Sequence, residues 1–319
     1  MTNSAKPVVP VFFTIDEGYA PWLAVALASM KANAAKDRHY DVHIVQRGLE
    51  EETKARLKAL GDEDFEIIVD DMPHDLSGIQ DWKGNWLRAD YFTLTIFFRL
   101  FLPEQFPQYD KAIYIDSDIV VPGDIAKLFD TDLEGNLLGV VNDYSIAAVP
   151  ELQHYVNDAI GVDGKHYFNS GVLLMDFKQL REKHLASRFL ELLETYSFDT
   201  IAPDQDYLNA LCKDRVHYLD PTWDAMPCDL EPFENPQLIH YNLFDKPWCY
   251  DNVKYEDYFW KYVKDSGFEK EIRVHKDSYS DEQKDSDAKA MALLVSRADE
   301  IPDQDVLMKN IIGVKEARL

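Results

Sequence analysis

The most informative segment of this chain is Lys111-Ala112-Ile113-Tyr114-Ile115-Asp116-Ser117-Asp118-Ile119-Val120-Val121. Its β-branched residues predict a buried strand, with Asp116 and Asp118 at the carboxyl end, where open α/β sheets bind their ligands. Two like charges there are costly unless a positive group lies between them. Carboxylate oxygens favour a hard divalent cation such as Mg²⁺ or Mn²⁺, which also contacts substrate phosphates. A solvated turn is the alternative for an isolated Asp-x-Asp.

Strand and helix patterns alternate ahead of this segment. Strands are predicted over residues 8–15, 41–46 and 65–69, and helices begin at Pro21 and run over 49–60. Elements at this spacing form right-handed crossover units, which build a parallel sheet. The predicted fold class is therefore α/β, with a Rossmann-like, mostly parallel central sheet flanked by helices.

The overall composition and charge exclude some classes of function. The 319 residues are 46% hydrophobic and 29% charged, which is typical of a globular protein with a sizeable core. The chain has 58 acidic and 33 basic residues, a formal net charge of −25. A field of this sign repels nucleic acid and anionic membrane surfaces, and the sequence contains no basic patch to offset it. We therefore expect no nucleic-acid partner.

Cysteine usage and the N-terminal segment predict a cytoplasmic protein. Cys212, Cys228 and Cys249 show neither paired nor metal-ligand spacing, so we expect reduced thiols. The apolar segment 8–15 is too short to span a membrane and lacks the features of a signal peptide. Peripheral contact with the inner face of the membrane is left open.

Three residues in the first two thirds of the chain each have two interpretations. Asp16 ends the first strand and either contacts a nucleotide or caps the following helix. Arg99 lies in an apolar segment, 87–102, predicted as a helix, where it needs either a ligand anion or a structural carboxylate. Asn169 precedes two small residues that either admit a ligand close to the backbone or form a tight turn.

Two later motifs are equally ambiguous. The acidic residues of Asp204-Gln205-Asp206 open a helix, where the helix dipole favours them without any ligand. His240 ends a strand, where a histidine is more often structural than a ligand.

The sequence changes character near residue 267. From 267 to 319 it is charge-dense and weakly amphipathic, with no glycine between Gly267 and Gly313 and no basic-aromatic cluster. We predict a catalytic domain over residues 1–266 and a helical C-terminal appendage over 267–319.

Taken together, six motifs in one order resemble the family 8 glycosyltransferases. These retaining nucleotide-sugar transferases include bacterial lipopolysaccharide galactosyl- and glucosyltransferases and glycogenin. The matching segments are Phe13-Thr14-Ile15-Asp16-Glu17-Gly18-Tyr19, Arg99, Tyr114-Ile115-Asp116-Ser117-Asp118, Phe168-Asn169-Ser170-Gly171-Val172, Asp204-Gln205-Asp206, and His240-Tyr241 with Lys246-Pro247-Trp248. Each is weak alone, and their common order makes the resemblance specific. It implies a GT-A fold.

The resemblance also implies a donor and a cofactor. The donor would be a UDP-hexose and the cofactor Mn²⁺ or Mg²⁺, held by Asp116, Asp118 and His240. Metal charge would neutralise the leaving diphosphate, and an imidazole ligand shifts the preference toward Mn²⁺. The other implied positions are Thr14, Asp16, Tyr19, Ser117 and Lys246 at the nucleotide and its diphosphate, Arg99, Asn169, Asp204 and Gln205 as catalytic residues around the donor sugar, and Asp143 facing the acceptor.

The implied reaction is retaining transfer of glucose or galactose to a saccharide, a lipid-linked glycan or a glycoprotein, as in lipopolysaccharide or cell-surface glycan biosynthesis. Retention requires either attack by a side chain or entry of the acceptor on the face that the diphosphate leaves. Gln205 is the candidate beneath the sugar, and an amide is a poor nucleophile. Front-face transfer is therefore favoured, with Gln205 stabilising the transition state.

Two other functions compete with this one. A haloacid-dehalogenase-like phosphatase would use Asp116 as its nucleophile, but that motif belongs on the first core strand, whereas three predicted strands precede it here. A non-catalytic sugar-nucleotide-binding protein would not need the intact Asp-x-Asp and His240. Oligomeric state is not indicated by any feature of the sequence.

Overall fold

A seven-stranded sheet forms the centre of the computed structural model, which describes residues 6–72, 94–228, 231–313 and 318–319. The strand order is β3-β2-β1-β4-β7-β6-β8, and a separate two-stranded sheet pairs β5 with β9. The strands are β1 Val8–Ile15, β2 His39–Gln46, β3 Phe65–Asp71, β4 Ala112–Ile115, β5 Ile119–Val120, β6 Leu138–Val140, β7 Val172–Met175, β8 Val216–Tyr218 and β9 Ile239–His240.

Helices cover both faces of the central sheet. Along β1, Phe12 packs into one apolar cluster, whereas Val11 and Phe13 pack into the other, as the alternation of side chains along a strand requires. The α-helices are α1 Ala20–Ala32, α2 Glu51–Lys58, α3 Leu102–Gln105, α4 Ile125–Phe129, α5 Tyr144–Ala148, α6 Pro150–Tyr155, α7 Phe177–Glu182, α8 Leu185–Tyr196, α9 Pro203–Leu211, α10 Glu256–Tyr262, α11 Glu269–Ser278, α12 Asp281–Glu300 and α13 Met308–Ile311.

The sheet is mostly parallel, as predicted, but β7 runs opposite to its neighbours. It pairs antiparallel with both β4 and β6, with Ile115 opposite Val172. The start of β7 therefore lies beside the end of β4, where the Asp116 amide donates to the Gly171 carbonyl at 2.8 Å. This reversal brings the small residues before β7 to the edge of the sheet that carries the Asp-x-Asp motif.

Two predicted elements differ from their observed form. The predicted strand over residues 111–121 is divided into β4 and β5, because the chain leaves the central sheet at Asp116 and pairs with β9 instead. Around Arg99 the structure has a 3₁₀ helix, Leu94–Leu100, and the predicted helical residues 87–93 lie outside the described part of the chain.

The C-terminal segment consists of helices that pack against the sheet domain. Helix α12 lies along α6, and its buried residues Ala290, Leu294 and Ala298 recur every fourth position, as an amphipathic helix requires. Its first turns are anchored where Tyr250 and Tyr279 donate to the Asp287 carboxylate, each at 2.7 Å. No helix in the described residues has the length and apolar character needed to cross a membrane. The domain boundary near residue 267 stays a prediction.

A carboxylate without contact to solvent joins α9 to the neighbouring elements. Asp206 is fully buried and accepts hydrogen bonds from the hydroxyls of Tyr155 and Tyr167, each at 2.7 Å, and from the Ala202 amide at 3.2 Å. Burial raises the pKa of Asp206 to about 7, although the two hydroxyls oppose this rise. The folded protein therefore retains this proton well above the pH at which an exposed aspartate ionises.

Replacing Asp206 with asparagine is expected to flatten the pH dependence of unfolding between about pH 4 and pH 7. In the unfolded chain this carboxyl ionises near pH 3.9, whereas in the folded protein it keeps its proton up to about pH 7. The wild type therefore loses stability as pH rises through that interval, and a neutral side chain does not.

Urea unfolding at a series of pH values measures this difference. Asp265→Asn, at an exposed aspartate, is the matched control and should follow the wild-type curve. Parallel pH curves for Asp206→Asn and the wild type would contradict the assignment.

Candidate active site

One cleft is lined by all of the predicted site residues. It encloses about 1190 Å³ of space, including open solvent at its mouth, and lies at the edge of the sheet where β1 and β4 end. The predicted residues that line it are Thr14, Asp16, Tyr19, Arg99, Asp116, Ser117, Asp118, Asp143, Asn169, Asp204, Gln205, His240 and Lys246.

Two carboxylates and an imidazole converge at one end of the cleft. The Nε2 atom of His240 lies 3.4 Å from Asp118 Oδ1 and 3.9 Å from Asp116 Oδ2. The pairing of β9 with β5 produces this proximity, because Ile119 lies opposite His240 in the small sheet. One ligand atom from each of the three residues falls within 4.8 Å of the others. This donor set fits a divalent cation such as Mn²⁺ or Mg²⁺.

A buried carboxylate orients the imidazole. Asp224 is completely buried, and its Oδ1 atom lies 3.1 Å from the Nδ1 atom of His240. A hydrogen bond at Nδ1 leaves Nε2 directed at Asp116 and Asp118, as in the carboxylate–histidine pairs that support bound metals. Burial alone lowers the pKa of an imidazole, but the Asp224 and Asp118 carboxylates outweigh it and raise the pKa of His240 to about 10.

Substituting Asp224 with asparagine is expected to weaken Mn²⁺ binding about tenfold to a hundredfold. Asparagine can still accept a hydrogen bond from Nδ1, but it lacks the charge that increases the basicity of the ligand nitrogen. Free Mn²⁺ measured by electron paramagnetic resonance gives the affinity directly. Asp220→Asn is the control, since Asp224 ends the short 3₁₀ helix Pro221–Asp224 and Asp220 caps that helix from an exposed position. Unchanged Mn²⁺ affinity in Asp224→Asn would show that Asp224 does not support a metal ligand.

A lysine lies directly beside this cluster. The ammonium group of Lys246 donates to the Asp118 carboxylate and to the Tyr241 carbonyl. Burial alone raises the pKa of Asp118, but the Lys246 ammonium and the His240 imidazole hold it well below its usual range. Asp118 is therefore ionised and ready to bind a cation, and Lys246 adds a positive charge next to that position.

Arg99 connects the metal-ligand cluster to helix α9. Its guanidinium contacts Asp116 Oδ1 at 2.9 Å and Asp204 Oδ2 at 3.1 Å, and it donates to the Ser170 carbonyl at 2.6 Å. The Tyr114 hydroxyl also donates to Asp116 Oδ1, at 2.6 Å. Both carboxylates that pair with Arg99 also line the cleft. A structural ion pair at Arg99 is therefore compatible with the predicted role of this arginine in the cleft.

An amide network lies next to Arg99. The Nε2 atom of Gln205 donates to Asp143 Oδ2 at 3.0 Å, and its Oε1 atom accepts from the Ser170 amide at 2.9 Å. The Asn169 amide also donates to Asp143 Oδ2, at 3.3 Å, and its oxygen accepts from the Gly171 amide at 2.7 Å. Asp143 therefore fixes the orientation of both amides while it caps helix α5.

The end of β1 and the residues after it also line the cleft. Asp16 accepts from the Gly18 amide at 3.1 Å as an N-cap and also lines the cleft, and its contact with a nucleotide stays a prediction. Thr14 Oγ1 lies 3.0 Å from the Tyr114 hydroxyl. Tyr19 and Ser117 also line the cleft.

Three contributors to the site were not found in the sequence. Asp224 ends the short 3₁₀ helix Pro221–Asp224, and no local pattern links it to His240. Ser170 appeared only as a small residue, although its hydroxyl donates to Asp204 Oδ2 at 3.0 Å. Tyr114 was read only as part of a buried apolar strand, although its hydroxyl donates to Asp116. Their polar partners are distant in sequence, and a window-based pattern does not contain that information.

Known proteins match this chain over most of its length. The model of the glycosyl transferase family 8 matches residues 10–252. A putative glycosyltransferase of Haemophilus influenzae is 26% identical over 229 residues, 72% of this chain and 67% of the relative. The lipopolysaccharide 1,2-glucosyltransferase of Escherichia coli is 30% identical over 188 residues, 53% of each chain. The crystal structure of the galactosyltransferase LgtC with donor and acceptor sugar analogues superposes with a TM-score of 0.68 at 28% identity, over 81% of this chain and 96% of that one.

Proposed function

Since this chain belongs to glycosyltransferase family 8, we propose that it transfers a hexose, glucose or galactose, from a UDP-sugar to a saccharide or glycoconjugate with retention of the anomeric configuration. One observation carries the proposal. The carboxylates of Asp116 and Asp118 and the imidazole of His240 converge beside the ammonium group of Lys246 in the main cleft. Carboxylate ligands for a divalent cation next to a lysine form a site for a diphosphate.

The metal is proposed to be Mn²⁺ or Mg²⁺, held by the two aspartates and His240. When bound, it supplies positive charge that neutralises the diphosphate leaving group. Lys246 contributes a second charge to the same diphosphate. In the structure this lysine already contacts Asp118, so it needs only to exchange a carboxylate partner for a phosphate oxygen.

The residues after β1 are proposed to hold the uridine. The Asp16 carboxylate has an oxygen available beyond the one that caps Gly18, and it faces the cleft. A carboxylate accepts hydrogen bonds from a base imide or from ribose hydroxyls. Thr14, Tyr19 and Ser117 also line the cleft and are proposed to contact the same nucleotide.

Around the donor sugar, the network favours front-face transfer. The Gln205 carbonyl oxygen is the only atom of that side chain with nucleophilic character, and it accepts a hydrogen bond from the Ser170 amide. Its amide nitrogen is oriented by Asp143. We therefore assign Gln205 to stabilisation of positive charge that develops on the sugar, with the departing phosphate accepting the proton of the acceptor hydroxyl. Arg99 and Asp204 support the same region of the cleft.

Wild-type enzyme incubated with donor is expected to show no covalent sugar in intact-protein mass spectrometry. Gln205→Glu places a carboxylate at the same position and is the positive comparison, because it converts a poor nucleophile into a better one. A glycosyl adduct in both proteins would overturn front-face transfer. An adduct in the variant alone would leave the wild-type assignment intact.

Family membership contradicts the phosphatase alternative, because it assigns the chain to the glycosyltransferases. In the site, Arg99 and Tyr114 both donate to Asp116 Oδ1, while Asp116 Oδ2 lies 3.9 Å from the Nε2 atom of His240.

Release of UDP in the presence of Mn²⁺ tests the proposed function. UDP-glucose, UDP-galactose and UDP-N-acetylglucosamine are compared without any acceptor, so that slow hydrolysis reports the donor alone. Release from one hexose donor that EDTA abolishes is the expected result. Absence of both UDP release and Mn²⁺-dependent UDP binding would overturn the proposal.

A further inference from the structure

The cleft continues past the predicted donor residues into an end that carries no charge. Its lining residues here are Ile146 on α5, Leu152 on α6, Ile201 before α9 and Leu294 on α12. We call these four residues the apolar end. Ile146 lies three residues after Asp143, and Ile201 lies four residues before Gln205, so the apolar end is continuous with the Asp143–Gln205 contact at 3.0 Å.

The C-terminal segment completes this wall. Leu294 belongs to the buried face of α12 and is only 5% exposed, whereas the adjacent Leu293 is 43% exposed. Two contacts tie α12 and the residues after it to the loop that carries Ile201. Asp199 in that loop pairs with Arg297 at 3.0 Å and accepts from Gln304 at 2.7 Å.

The aliphatic character of the apolar end limits which chemical groups can bind there. The diphosphate is accounted for by the cationic end of the cleft, and the hydroxyls of a hexose need polar partners that four aliphatic side chains do not offer. Burial against them is favourable for an alkyl or aryl group. The net charge of −25 disfavours an anionic acceptor.

We propose that the apolar end is the binding site for a hydrophobic aglycone on a neutral acceptor glycoside, and that the C-terminal helix α12 completes that site through Leu294. This inference rests on the proposed glycosyl transfer, because it places the acceptor on the Asp143 side of the cleft. It gives the C-terminal segment a direct role in acceptor selection.

Paired glycosides test this directly. Protein saturated with UDP and Mn²⁺ is titrated calorimetrically with the methyl and pentyl β-glycosides of glucose, galactose and N-acetylglucosamine. The pentyl member of at least one pair is expected to bind about tenfold more tightly, the factor expected from burying about two methylene groups. Equal affinities within every pair, or no binding by any pentyl glycoside, would overturn the proposal.

Substitutions in the cleft test whether the preference for pentyl glycosides arises at the apolar end. Leu294→Ser is expected to remove most of the pentyl preference, and Leu293→Ser, on the exposed side of the same helix, is expected to keep it. Ile146→Thr tests the site from a different helix and covers the case in which Leu294→Ser does not fold, as judged by thermal unfolding. A pentyl preference that persists in both folded cleft variants would overturn the location.

Acceptor-free release of UDP separates this inference from the proposed function. That release depends on the charged end of the cleft alone. Donor hydrolysis without a pentyl preference would overturn only the aglycone site, whereas a protein that neither hydrolyses a donor nor binds UDP would overturn the proposed transfer itself.

Discussion

Asp118→Ala is expected to lower UDP-sugar turnover about a thousandfold or more. Asp118 is the residue that His240 and Lys246 both contact, so its removal takes away a metal ligand and the partner of the cation beside it. Metal ions contribute several kcal/mol of charge stabilisation to such reactions, and about 4 kcal/mol corresponds to a factor of a thousand in rate. Acceptor-free UDP release and Mn²⁺ affinity are the two measurements.

The control for this variant is Asp130→Ala. Asp130 is an exposed aspartate that pairs with Arg38 at 2.6 Å, away from the cleft. Its loss should leave turnover and Mn²⁺ affinity within about twofold of the wild type, because exposed ion pairs contribute little. Wild-type turnover in Asp118→Ala would remove the basis for a metal-assisted transfer.

Gly171→Ala is expected to reduce turnover about a hundredfold, although glycine bears no chemical group. A methyl group at this position would overlap the His240 ring at Cε1 and would lie 2.8 Å from Asp116 Oδ2 and 2.9 Å from Asn169 Oδ1. His240 is 2% exposed and cannot move away freely. Displacement of catalytic groups by about 1 Å costs about that factor in rate.

Gly164→Ala is the matched glycine control. There the nearest atoms to an added methyl group, on Gln153 and Val156, lie at 3.4 Å, which is ordinary contact. Mn²⁺ affinity distinguishes the proposed cause from a general loss of stability, because displacement of His240 should weaken metal binding at temperatures where both variants are folded. Full Mn²⁺ affinity in Gly171→Ala would show that the site accommodates the methyl group.

Much of the fold could be predicted from local patterns. Strand β1 coincides with its predicted bounds, and the alternation of strands and helices correctly indicated a mostly parallel α/β sheet. The GT-A type came from the family resemblance and is confirmed by the LgtC structure. Resemblance to glycosyltransferase family 8 is confirmed by the family match. These features are encoded within short windows, since apolar periodicity depends on residues a few positions apart.

The site residues were predicted as a set, but their roles stay predictions. Placement in one cleft agrees with the ordered motifs, and Asp16 and Arg99 each form a structural contact and also line the cleft. Motif order assigns residues to one site without specifying which atoms face each other.

Contacts between distant segments were decided by tertiary structure alone. Lys246 and Asp118 are 128 residues apart, and they meet because β9 pairs with β5 rather than with the central sheet. The reversal of β7, the Asp224 support of His240 and the position of Leu294 in the cleft have the same origin. Each depends on which surfaces the packed core brings together, and packing energy is a sum over residues that no local window contains.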